Sequence, residues 1–172
     1  MAGFLSAHGY EPGPTQRPFL AGALGGMVAT APAILVLHLA GSLAVEARIL
    51  GLSVLWTIVI GWLLMGLAGA AYARLLGRAA NDTRGGWLFG MAFGFALWAG
   101  GAVFVLPLAG GGQLPAGTPA AGVFVSLVLW GGVLGAVLPF IHRRLHRSIE
   151  EPGLADKLGA AVAAPHILRR KR

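Results

Sequence analysis

The sequence predicts an all-α, polytopic integral membrane protein with four transmembrane helices and both termini on the cytoplasmic side. Three observations carry that prediction. Of 172 residues, 56% are hydrophobic and only 11% charged, with a mean hydropathy of +0.76, whereas a soluble domain averages closer to one quarter charged. The charges are gathered between long uncharged runs. The basic ones fall almost entirely on one side once those runs are counted as crossings.

The runs define the elements in order. No Asp, Glu, Lys or Arg occurs at 18–45 or at 49–73, and each stretch exceeds the roughly 20 residues that cross a hydrocarbon layer of about 30 Å. The uncharged stretch from Gly85 to His142 is too long for one crossing. Its middle, from Ala109 to Pro119, is rich in Gly and Pro and ends helices. It therefore divides into spans at about 86–108 and 120–141. Continuous rather than alternating apolar runs argue against a barrel. The organisation read from the sequence is a cytoplasmic N-terminal tail (1–16), a four-helix transmembrane domain (17–148) and a basic cytoplasmic C-terminal tail (149–172). The N-terminal tail lacks a basic segment followed by a short apolar core, so no signal cleavage is expected.

Alternate numbering of the spans places every Lys and Arg except Arg48 on one side. This asymmetry predicts an orientation with both termini on the cytoplasmic side. It also accounts for the net charge of +7 without nucleic acid as a partner. Trp87, Tyr72 and Phe140 fall near the cytoplasmic boundary and read as interfacial anchors.

Lipid tails are as apolar as Leu, so helix association has to come from close packing and polar contacts. Small residues at four-residue spacing make a smooth stripe. Such stripes are formed by Gly22 and Gly26, by Gly66 and Ala70, by Gly86, Gly90 and Gly94, and by Gly131 and Gly135, with Gly122 and Ser126 on a nearby face. Pro32 removes a backbone donor within the first span and predicts a kink near Met27–Val28.

Chemistry-bearing residues are sparse. The chain has no Cys, which excludes disulfides, thiolate metal sites and cysteine nucleophiles. No carboxylate falls inside a predicted span, which argues against a proton or cation pump. His38 is the one ionisable group well inside a span. It leaves open haem, a chlorin pigment or a quinone, since neutral imidazole offers one donor and one acceptor nitrogen. The competing reading is a histidine bonded across helices or facing the outer interface. His142 and His146 are one turn apart on the extension of the fourth span. Arg143, Arg144 and Arg147 surround them, so the cluster reads as a lipid-headgroup patch rather than a metal site. No catalytic set, metal set or phosphate-binding loop is expected.

The segments Ala21–Thr30, Gly61-Trp62 and Gly86–Gly94, continuing through Trp98 to Leu106-Pro107 and Gly110, together with Gly131 and Gly135, resemble a group of small four-span bacterial membrane proteins of uncharacterised function. Members often have His in the second and fourth spans, where this chain has Trp62 and Trp130. The resemblance implies the architecture and supplies no activity. The function expected from the residues is a non-catalytic accessory subunit, bound to lipids and to other integral membrane subunits of a larger complex, with a respiratory or photosynthetic electron-transfer complex as the candidate host. The alternatives are a small channel or facilitator working as a homo-oligomer, and a cofactor binder using His38.

Overall fold

A computed structural model describes residues 17–145. The two tails, with His146 and Arg147, lie outside the described residues. Within them the chain is all helical, with no strand. Helix α1 spans Pro18–Leu39, α2 Ser42–Leu50, α3 Val54–Ala80, α4 Gly86–Ala109 and α5 Thr118–Leu145. All except α2 are long and apolar enough to cross a membrane.

The uncharged runs are divided differently from the sequence expectation. The first ends at Leu39 because Gly41, at φ 71°, turns the chain, and Gly51, at φ 66°, turns it again. Both conformations suit a residue without Cβ. Between them α2 ends in a Schellman-type closure, with Leu52 N–H donating to the Ala47 carbonyl at 2.9 Å.

Helix α1 packs against α3 and α5, and α4 packs against α5, whereas α3 and α4 meet only sparsely. Glycine sets these pairings. A Cβ on Gly90 would fall on the carbonyl of Gly131, and one on Gly131 on the carbonyl of Gly90; Gly94 faces Leu127 and Gly86 faces Gly135 in the same way. On the other side Gly22 meets Gly69 and Ala73, and Gly26 meets Met65 and Gly69. The α3 stripe in this contact is therefore Met65–Gly69–Ala73, rotated from the expected Gly66–Ala70. Gly66 is buried against the side chain of Met27, and Ala70 is half-buried.

Polar contacts tie the helices together near Pro32, through which α1 continues without a break. The Trp130 indole, fully buried, donates to the Gly26 carbonyl at 3.0 Å, and the Trp62 indole donates to the Met27 carbonyl at 2.8 Å. Trp130→Phe is expected to cost about 1–2 kcal/mol, and Trp62→Phe, at an exposed site, about 0.5 kcal/mol. Denaturant titration in lipid–detergent micelles measures both. Tyr72 does not act as an interfacial anchor. It is fully buried, stacks obliquely on Phe93 at 5.3 Å and donates to the Gly86 carbonyl at 2.9 Å, because α4 supplies an acceptor at that depth.

Candidate functional site

The sparse contact between α3 and α4 leaves a chamber of about 350 Å³ toward the α2 end of the bundle. That is the size of a small-molecule site. Helix α1 contributes Thr30, Ala33, Ile34 and Leu37; α3 contributes Thr57, Ile58, Gly61, Trp62 and Met65; α5 contributes Val123, Ser126, Leu127 and Trp130. Helix α4 lines it with Leu97, Gly101, Ala102, Val105 and Leu106.

Local geometry in α4 accounts for this wall. Residues Trp98–Val105 form a π-helix between α-helical segments at Gly86–Leu97 and Leu106–Ala109. Pro107 has no N–H to donate back into the preceding turn, and Gly100-Gly101 offers little resistance to widening. Such turns recur at functional sites. A Cβ on Gly101 would meet nothing within 4 Å, and the same holds for Gly100. Gly101 lines the chamber, whereas Gly100 is exposed.

Helix α2 reaches the chamber with Leu43, Glu46 and Leu50. Leu43 and Ala47 are buried, and Ser42 Oγ donates to the Pro119 carbonyl at 2.8 Å. Ile49 packs so closely on Gly110 that a Cβ there would collide with it. Both ends of the α4–α5 connection thus hold α2 against the bundle. They fix the direction of Glu46.

The polar lining is otherwise committed. Thr30 Oγ1 donates to the Gly26 carbonyl at 2.7 Å, Thr57 Oγ1 to the Ser53 carbonyl at 3.1 Å and Ser126 Oγ to the Val123 carbonyl at 2.9 Å. Among the described residues Glu46 is the one ionisable residue lining the chamber, and none of them gives it an ion pair or hydrogen bond. It stands on α2, outside the four long spans. Burial pushes its carboxyl up to about 7, since an apolar setting disfavours the charged form.

The residues singled out from sequence fall elsewhere. His38 is exposed in the last turn of α1 and does not line the chamber. Arg143 and Arg144 are exposed at the end of α5, with the Arg143 guanidinium 5.9 Å above the Phe140 ring, while Arg147 lies outside the described residues. His142 is buried and partnered. Among the described residues no three His, Cys, Asp or Glu side chains gather in a way that could hold a metal. Glu46, Gly69 and Ala73 were not singled out from the sequence. The spacing of Leu43, Glu46, Ala47 and Leu50 between Gly41 and Gly51 was the available signal for α2.

Compared with known families, curated proteins and solved structures, the chain matches none.

Proposed function

We propose that this chain is a multi-pass protein of a bacterial inner membrane, with cytoplasmic termini, that binds a small lipophilic molecule in its chamber without transforming it. The observation that carries the reading is the chamber itself: about 350 Å³, walled by hydrocarbon from four long helices and capped by α2. Apolar walls with few polar groups are what a lipophilic ligand requires. The lining hydroxyls donate to main-chain carbonyls, and among the described residues no nucleophile is paired with a base along the walls. The orientation rests on Arg17, Arg74, Arg84, Arg143 and Arg144 at the terminal end against Arg48 at the α2 end.

Gly101→Leu places a side chain in the chamber, whereas Gly100→Leu places one on the exposed face. In phosphatidylcholine nanodiscs, saturable uptake of the neutral fluorophore N-phenyl-1-naphthylamine, read by quenching of tryptophan emission, is expected to weaken at least about tenfold in Gly101→Leu. Gly100→Leu should behave as wild type. Non-saturable uptake identical in all three proteins and in empty nanodiscs would refute a binding chamber.

A second reading, the accessory subunit, is favoured by the unequal burial of the spans. Within the chain only 17% of the α3 span and 11% of the α4 span is buried, against 39% for α1 and for α5. Helices α3 and α4 thus offer most of their surface to lipid or to neighbouring subunits. Co-migration with larger subunits after extraction in a gentle detergent supports this role, and a lone monomer opposes it.

A further inference from the structure

We infer that the chamber is a site for lipophilic organic cations, with the Glu46 carboxylate as their counter-ion and the indole of Trp62 as part of the wall that receives them. The inference rests on the chamber reading and adds the chemical class of the ligand. A carboxylate in an apolar enclosure is costly unless paired. Among the described residues Glu46 is the only ionisable group on the chamber wall, and no described side chain pairs with it.

The elements packed against α2 supply no internal counter-ion. Helix α1 brings only His38, which is exposed and off the chamber wall. On α2 itself Arg48 is exposed and also off that wall. Among their described side chains, helices α3, α4 and α5 place no ionisable residue in the lining. Among the described residues nothing supplies the missing positive charge, and the ligand brings it.

The walls restrict what can carry that charge. A bare divalent cation takes several oxygen ligands, and the chamber offers a single carboxylate among hydrocarbon. An anion would be repelled. A cation wrapped in apolar groups satisfies both parts of the site, because its skirts replace hydrocarbon contact while its charge meets Glu46. Aromatic faces add attraction for such a cation through the ring quadrupole. Of the two indoles in the wall, Trp62, at 49% exposure, has surface open to such contact, whereas Trp130 is wholly buried and backs the wall from behind.

The test compares methyltriphenylphosphonium, whose charge does not titrate, with neutral triphenylphosphine oxide of similar shape. Both are titrated into wild type, Glu46→Gln and Gly101→Leu in phosphatidylcholine nanodiscs at pH 5.5 and 8.5. Because the Glu46 carboxyl is pushed up to about 7, wild type should bind the cation about 30-fold more tightly at pH 8.5 than at pH 5.5. Glu46→Gln should bind it weakly at both values, and the oxide should ignore both pH and this substitution. Equal cation affinity in wild type and Glu46→Gln at pH 8.5 overturns the inference. So does pH-independent binding by wild type alone, a readout that does not depend on any variant folding. Oxide binding that strengthens at pH 5.5 overturns it as well, by making Glu46 a hydrogen-bond donor to a neutral ligand. If neither probe saturates, or if Gly101→Leu leaves both affinities unchanged, the chamber reading itself fails.

Discussion

Gly131→Leu is expected to separate α4 from α5 and to cost at least about 3 kcal/mol, enough to remove the folded bundle from detergent extracts. A Cβ on Gly131 would fall on the carbonyl oxygen of Gly90, with the Gly90 carbonyl carbon at 2.7 Å and the Gly94 nitrogen at 3.1 Å. These neighbours are backbone and cannot move aside as a side chain could. The helices have to part, losing the close dispersion contacts that hold apolar helices together where no hydrophobic force separates them from lipid. Gly90→Leu should behave alike, since the contact is reciprocal. Gly100→Leu, with open space around its Cβ, should stay near wild type. Because the natural chain has no Cys, disulfide trapping between cysteines introduced on α4 and α5 reads helix pairing directly. It should succeed in wild type and Gly100→Leu and be lost in Gly131→Leu.

Glu46→Gln is expected to raise stability at pH 8 by on the order of 2 kcal/mol while leaving it unchanged near pH 4.5. The Glu46 carboxyl moves from its ordinary 4.5 up to about 7 on burial. Between those values the folded protein holds a proton that the unfolded chain has released. Stability of the wild type therefore falls as pH rises from about 4.5 to about 7 and is level above that. Partial exposure of the side chain reduces the effect below the full shift. Glutamine, uncharged at every pH, removes the slope. Denaturant titrations of both proteins across this range measure it, and a Gln variant less stable than wild type at pH 8 would mean that Glu46 has a stabilising partner. Saturating methyltriphenylphosphonium should recover much of the wild-type loss, because it binds only the folded form.

The long helices were legible because charges and Gly/Pro clusters punctuate otherwise continuous apolar runs, as at Arg74–Arg84 and Ala109–Pro119. Pairing was legible only in part. Gly66 and Gly69 both lie on α3, and each begins a small-residue pair, with Ala70 and Ala73 respectively. Only the rotation of α3 against Gly22 and Gly26 selects Gly69 with Ala73. Helix α2 was hidden because Gly41 lies within an uncharged run that continues to Val45, and charge alone does not mark a turn inside such a run. Glu46 consequently read as a loop residue beside Arg48. In the fold Arg48 is exposed while Glu46 borders the interior. The argument against charge chemistry, drawn from the lack of carboxylates within spans, loses force for the same reason: the acid enters the bundle from its end. The chamber depends on the π-helix at Trp98–Val105 and on the few contacts between α3 and α4. Gly100-Gly101 followed by Pro107 hints at the first. Nothing in a linear pattern reports the second.

On this reading Glu46 is an acid with no partner among the described residues, facing an apolar chamber that receives a cation. Carbon-13 NMR of glutamate-labelled protein in nanodiscs, with the Glu46 resonance assigned by its loss in Glu46→Gln, follows that carboxyl directly. The carboxyl should titrate near 7 and move down by at least about one unit when methyltriphenylphosphonium is saturating. A titration at the ordinary value of 4.5, unmoved by the cation, would contradict it.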